Sequence, residues 1–414
     1  METKEKNALR SSKLIMVTAD NNNKFYDMVE NGNGFFTVTY GRVGTEGVTQ
    51  SYPMQQWDSK YKEKLRKGYK DQTALFAEAS QEELDLTDIK DYAVRNLFAN
   101  LMKYARKSIS YHYNVNVEQV SYKQIQEAQA LVDNLVRQVQ MQMDLQQFNQ
   151  ILLQLYMVIP RRMRNVKDNL VQKIDSYEDL EKIRTKVGEE QATLDIMRNQ
   201  VQMNVKQLEN QADKKKENLL ETMGLEIQTV ENIAVQQLIQ KMMQDEASRF
   251  VRAYEVKNCR TNTQFDNWIS KQENNTLQLF WHGSRNENWL SILESGLVLR
   301  PANAIISGKM FGEGIYFADK FRKSLNYTSL RGSYWANGKE DKAFLAIFQV
   351  HTGEQLKIKK HEDWCYKLNE TNLKKQGKKY NSLFALGGAD LINNEYIVYN
   401  ENQCTVKYLV EVTV

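Results

Sequence analysis

The chain has 414 residues, 41% of them hydrophobic and 26% charged, with 56 Lys+Arg against 52 Asp+Glu for a net charge of +4. That is ordinary globular usage; it excludes wholesale disorder, and the length predicts more than one domain at ~150 residues each. Cys259, Cys365 and Cys404 are far apart and odd in number, which excludes a disulfide framework or a Cys-rich zinc site and points to a reducing, intracellular compartment. No run approaches the ~18 apolar residues of a membrane span, and the start METKEKNALRSS has no signal-peptide core, so no membrane association or secretion is expected.

Chain breakers divide the sequence. Of 19 glycines, six lie in residues 1–68 and eleven in 283–388; only Gly188 and Gly224 fall between, and the prolines are Pro53, Pro160 and Pro301. A long middle almost free of breakers predicts helices, flanked by two turn-rich, β-containing segments. Within 13–55 the runs KLIMV, FYDMV, FFTVTY and VTQSY read as short strands, with NGNG as a hairpin turn. QQWDSKYKEKLRKGYKDQ then reads as a helix with a basic face.

In the middle, Ile125, Ala128, Val132, Leu135 and Val139 follow helical spacing behind a Ser121/Gln124 capping box. Leu145, Phe148, Leu152, Leu155, Tyr156 and Ile159 form a second stripe that Pro160 stops, and a third helix is expected from near Ser176 through Met197. These stripes predict a bundle core rather than chemistry. The polar run QADKKKEN (211–218) is expected to be a linker. Beyond it, LEIQTVENIAVQQLIQKMMQDE is expected to carry a helix and RFVRAYEV a strand. LQLFWHG, GIYFAD, AFLAIFQV, NEYIVY and VKYLVEVTV read as short strands of a mixed, mostly antiparallel β domain.

Common catalytic signatures are missing: there is no phosphate loop, HExxH or GxSxG, and Gly312-Glu313-Gly314 lacks the third glycine and helix of a dinucleotide fingerprint. Four scattered histidines do not predict a metal cluster. What stands out is FWHGSR (280–285), GKMFGEGIYFADKFRKSLNY (308–327) and NNEYIVYN (393–400). His282 presents an imidazole beside bare backbone; Tyr316, Ser324 and Tyr327 are spaced to set two aromatic faces and a hydroxyl around one flat ring, although both tyrosines also fit a core. Glu395 opens an otherwise apolar strand, where a carboxylate is costly unless solvated or used.

Through these residues the sequence resembles the short, DNA-dependent poly(ADP-ribose) polymerases. HGS at 282–284, MFGEGIYFAD at 310–319, KSLNY at 323–327 and NEYIVY at 394–399 match the transferase domain in order and spacing. YGRVGTEG at 40–47 resembles the WGR motif, while SYKQIQEAQALV at 121–132 and LYMVIP at 155–160 resemble the family's autoinhibitory helical domain. The resemblance implies a multidomain α+β chain: a small β-rich WGR-like domain over 1–80, an all-α regulatory bundle over 85–210, and a mixed, mostly antiparallel β ADP-ribosyltransferase domain over 217–414.

It also implies roles. His282 would bind the adenine-side ribose of NAD+. Gly283 and Ser324 would hold the nicotinamide carboxamide, with Ser284 also lining the NAD+ site, and Tyr316 and Tyr327 would sandwich the nicotinamide ring. Glu395 would complete a His-Tyr-Glu triad for elongation, with Met310 and Lys323 on the acceptor side. Tyr40, in place of the WGR tryptophan, and Arg42 would contact DNA. NAD+ is implied as a consumed substrate with no metal, and the partners implied are nicked or 5′-phosphorylated DNA breaks and protein acceptors, the chain itself included. Asn393 replaces a tyrosine common in relatives and leaves branching open. A nucleus in a eukaryote, or a bacterial cytoplasm, would fit. A mono(ADP-ribosyl)transferase and a DNA-end-binding scaffold with an inactive transferase fold are the alternatives.

Overall fold

The computed structural model describes residues 9–76, 86–112, 120–141, 143–212, 218–299 and 310–414. By internal contacts the chain forms two compact units, Met1–Glu82 with Ser108–Val201, and Glu83–Lys107 with Gln202–Val414.

The first unit opens with an antiparallel sheet in the order β4-β3-β2-β1-β5, built from β1 (Ser11–Val17), β2 (Asn23–Glu30), β3 (Phe35–Arg42), β4 (Val48–Pro53) and β5 (Lys70–Asp71). The NGNG turn joins β2 to β3 with Gly32 and Gly34 at φ +74° and +82°, the left-handed region that glycine enters without strain. Helix α1 (Trp57–Arg66) sets Trp57 against Phe36, ring centroids 5.0 Å apart, over a core of Leu14, Met16, Tyr26, Met28, Val38 and Tyr69.

The helices that follow are α2 (Tyr92–His112), α3 (Tyr122–Gln140), α4 (Leu145–Val158) and α5 (Tyr177–Ala212). The Ser121/Gln124 capping box starts α3, which buries Ile125, Ala128, Val132 and Leu135. Asp144 caps α4, which buries Phe148, Leu152, Leu155 and Tyr156. Helix α5 outruns the sequence expectation and reaches Ala212, so Gln211 and Ala212 are helical; of the rest of the expected linker, 213–217 lie outside the described residues and Asn218 caps the short helix Leu219–Thr222.

The second unit contains two sheets, ordered β6-β7-β14-β10-β8 and β11-β12-β13-β9. The first, antiparallel throughout, comprises β6 (Leu225–Thr229), β7 (Phe250–Asn258), β8 (Leu277–Gly283), β10 (Lys342–His351) and β14 (Cys404–Thr413). The second comprises β9 (Ile315–Phe317), β11 (Glu354–Ile358), β12 (Tyr380–Ala385) and β13 (Glu395–Val398), with only the β11–β12 pair parallel. The stretch expected to carry a helix does so in α6 (Ile233–Met243), but it opens with the strand β6: Asn232 accepts from the Ala234 and Val235 amides and starts the helix. Helix α7 (Cys259–Ile269) is a further difference; it buries only Thr261 and Phe265, too little for an apolar stripe to register in sequence.

A bridge between Trp281 and Ala318, with N–H to O distances of 2.9 and 3.0 Å, ties the edge strand β8 to the end of β9. It joins the two sheets at an edge of each, and the candidate site lies along this seam. Among the described residues no helix is long and apolar enough to cross a membrane.

Candidate active site

Strand β8 delivers His282 to the seam. Its Nδ1 lies 3.1 Å from the Tyr316 carbonyl oxygen; because a carbonyl only accepts, Nδ1 carries the hydrogen. Phe317 and Phe348 meet the imidazole edge-on and fix its plane. The next residue must be glycine: a Cβ on Gly283 would stand 1.9 Å from the Ser324 carbonyl oxygen. Ser324 is buried in the short helix Phe321–Leu325, and its hydroxyl has no partner among the described residues. Ser284 accepts from Asn288 Nδ2 at 3.0 Å.

Tyr316, on β9, donates its hydroxyl to the Gly312 carbonyl at 3.1 Å and accepts from the Phe311 amide at 3.0 Å. Burial pushes this phenol well above its usual 10, and the Glu395 charge adds to the effect. Tyr327 remains 44% exposed, and burial with the Glu395 charge pushes its phenol up to about 12. Both rings therefore stay neutral across any working pH and serve as faces rather than acids.

Glu395 begins β13 and is buried. Lys323 donates to its Oε1 at 2.6 Å and to the Asn394 carbonyl at 3.1 Å. The other oxygen, Oε2, is buried without a hydrogen-bond partner. A buried carboxylate oxygen left unmatched is expensive, and here it can accept a hydroxyl brought by a ligand. Met310 holds the seam less directly: its carbonyl accepts from His361 Nε2 at 2.7 Å, and its side chain packs against the core around Phe311, Leu383 and Ile397. Thus His282, Gly283, Tyr316, Lys323, Ser324, Tyr327 and Glu395 form one linked group, with Ser284 and Met310 beside it.

Sequence reading passed over Asn288, His361, Asp319 and Asn394. Asn288 stands four residues after Ser284, and Asp319 and Asn394 close and open the quoted motifs, so the signal for three of them was present. The 361 region lies in no quoted motif.

Tyr40 and Arg42 belong to the first unit. Tyr26, Tyr40 and Tyr69 surround the Lys64 ammonium at 4.2, 5.9 and 5.7 Å, and burial lowers the Lys64 pKa. Arg42 is heavily engaged. Its guanidinium donates to the Met163 carbonyl at 2.9 and 3.1 Å, to the Arg164 carbonyl at 2.9 Å, and to Asn21 O and Oδ1 at 3.1 and 2.8 Å. Lys60, Lys62 and Arg66 on α1 form no ion pair among the described residues and are the more available cations.

The family model of the poly(ADP-ribose) polymerase catalytic domain matches residues 229–414, and that of the WGR domain matches 13–75. Uncharacterized protein 101L of Invertebrate iridescent virus 6 is 35% identical, over 47% of this chain and 79% of that protein. Poly [ADP-ribose] polymerase-like 100L of the same virus is 34% identical, over 39% of this chain and 85% of that protein. Poly [ADP-ribose] polymerase 2 of Homo sapiens is 34% identical, over 32% of this chain and 26% of that protein. The chain belongs to the poly(ADP-ribose) polymerase family and is an NAD+ ADP-ribosyltransferase with a WGR domain.

Proposed function

We propose that the chain is a DNA-strand-break-activated poly(ADP-ribose) polymerase that modifies itself and nearby proteins with release of nicotinamide. The observation that carries this reading is Glu395, ionically held by Lys323 through one oxygen and left with a buried acceptor in the other. In this reading Tyr316 and Tyr327 sandwich nicotinamide, while the Gly283 backbone and the Ser324 hydroxyl hold its carboxamide. His282, with Ser284 beside it, binds the adenine-side ribose. Met310 and Lys323 face the acceptor. Breaking the nicotinamide–ribose bond sends the electron pair to nicotinamide and builds positive charge on the anomeric carbon, as in glycoside cleavage. Glu395 stabilises that charge, and its free oxygen takes the hydrogen bond, then the proton, of the attacking hydroxyl as the new C–O bond forms.

DNA-break recognition rests in this reading on the WGR domain, with Tyr40 and Arg42 at its motif and the α1 cations contacting phosphates. Incubation with labelled NAD+ and nicked, 5′-phosphorylated DNA tests it: a high-mass smear is expected. A single sharp band would identify a mono(ADP-ribosyl)transferase, and no label at all a DNA-end-binding scaffold. Glu395→Gln keeps the size but not the charge, and should cut transfer ~10²–10³-fold with NAD+ binding retained; full-length polymer from this variant would remove Glu395 from the chemistry.

A further inference from the structure

We infer that Asp319 is a positioning residue for Glu395, acting on it from the opposite face of β13. Successive side chains of a strand point to opposite faces, so Tyr396 projects away from the side of Glu395, and Asn394, just before the strand, shares a partner with Tyr396 on that other side. Asp319, which follows the bridging residue Ala318 at the end of β9, reaches both of them. Its Oδ2 accepts from Asn394 Nδ2 at 2.9 Å and from the Tyr396 hydroxyl at 3.4 Å. One carboxylate oxygen thus grips the residues before and after the glutamate.

Each gripped residue is pinned a second time. The Asn394 side-chain oxygen accepts from the Gly387 amide at 2.9 Å, and its main-chain carbonyl accepts from the same Lys323 that holds Glu395. The Tyr396 ring stacks between Phe280 and Phe384, with centroids 4.1 and 4.7 Å away. Phe280 is two residues before His282 on β8. The Asp319 clamp therefore joins the strand end carrying Glu395 to the strand carrying His282. It also fixes the carbonyl against which Lys323 is braced.

Stability alone does not explain the choice of an acid here. The second oxygen, Oδ1, is buried without a hydrogen-bond partner, an arrangement that ordinarily destabilises a fold. Retaining it makes sense if the strand end must be held to a fraction of an ångström, because an ~1 Å displacement of a reacting group costs as much as ~10²-fold in rate.

This inference rests on Glu395 being the working carboxylate, and the experiment separates the two ideas. Steady-state kinetics of the full chain with NAD+ and nicked DNA are paired with calorimetric nicotinamide binding, for Asp319→Leu, Asp319→Asn and the control Glu395→Gln. Asp319→Leu should lower kcat ~10–100-fold with KM for NAD+ and nicotinamide affinity unchanged. Asp319→Asn keeps an acceptor for Asn394 and should restore most of the loss. Should Asp319→Leu not fold, Asn394→Ala cuts the same clamp from its other end and should show the same kcat-only defect. Wild-type kcat in either clamp variant, or parallel loss of kcat and nicotinamide affinity, would overturn the positioning role. An active Glu395→Gln would instead overturn the reading of the site itself.

Discussion

One methyl group at Gly283 should close the part of the cleft that the proposed function gives to nicotinamide. The added Cβ would stand 1.9 Å from the Ser324 carbonyl oxygen, and the helix bearing Ser324 cannot retreat because Phe321 and Leu325 are locked in the core with Trp281. Overpacking of this kind costs ~1–3 kcal/mol, and it falls on the residues to which the proposed function gives the carboxamide. Gly283→Ala should therefore lose nicotinamide binding by at least ~10-fold, read by calorimetry; unchanged affinity would mean that the helix yields freely. Arg42 carries a different balance. It ties Asn21 to the Met163 and Arg164 carbonyls, so Arg42→Ala should lower the melting temperature of the first unit, as expected from losing hydrogen bonds to a charged group at ~1.5–3 kcal/mol each. Lys62→Ala, on the open face of α1, should leave the melting temperature unchanged while reducing the salt dependence of DNA binding by about one phosphate contact. A thermally neutral Arg42→Ala would dismiss the clamp.

At the scale of elements, what could be read in the sequence was whatever is written locally. The α3 capping box, the NGNG hairpin and the apolar runs of β8 and β14 each contain their own instructions within a few residues. Strand β6 was not separable from the helix after it because five residues ending at Thr229 carry too short a period to distinguish. The pairs that hold the candidate site and the first unit together are remote: Lys323 and Glu395 are 72 positions apart, and Arg42 and Met163 are 121 apart, so no window reveals them. The same holds for His351 at the end of β10. Its Nδ1 accepts from Trp268 Nε1 at 3.0 Å and its Nε2 lies 2.6 Å from the Asn274 carbonyl, which fixes a neutral, fully partnered ring. Burial, with the Lys374 charge adding to it, holds its pKa below the usual 6.5. The unfolded chain therefore binds this proton more readily, so the stability His351 contributes is present above pH ~6.5 and is lost as pH falls below that value toward the folded pKa. The melting temperature should drop with acidification in that window, and His351→Asn, which cannot titrate, should remove this component of the slope. An identical slope in the variant would assign it to other groups. Between α4 and α5, Arg161 and Glu190 form a two-pronged buried ion pair at 2.7 and 2.8 Å. Arg161→Met removes both prongs and should bring early unfolding of the first unit, since breaking a buried pair costs up to ~3–5 kcal/mol; an unchanged melting temperature would show that the pair adds nothing to the fold.

For the molecule as a whole, the helical segment should restrain the transferase until DNA binds, and the two compact units say where to cut in order to test it. Residues 83–107 belong with the transferase. Asp91 accepts from the Thr229 amide and hydroxyl at 3.2 and 3.0 Å, Tyr254 donates to the Ala93 carbonyl at 3.4 Å, and Lys107 pairs with Glu340 at 2.8 Å. A deletion beginning at 85 would strip these contacts and confuse loss of restraint with loss of fold. The segment between Ser108 and Val201 is better suited to open: along α5 it buries Glu190, Gln191, Thr193, Asn199 and Gln200 among its apolar residues, and polar burial of this kind lowers the cost of local opening. If restraint acts through NAD+ access, a coupling of ~1–3 kcal/mol gives about 5–150-fold activation. The second unit alone, with 86–107 joined through a short flexible linker to 202–414, should therefore be an enzyme active without DNA, at a rate near that of the DNA-bound full chain. In the intact chain, hydrogen exchange in 108–201 should quicken when nicked DNA is added. A deletion variant that binds nicotinamide and melts cooperatively, yet still has no activity, would mean that the helices complete the site instead of restraining it.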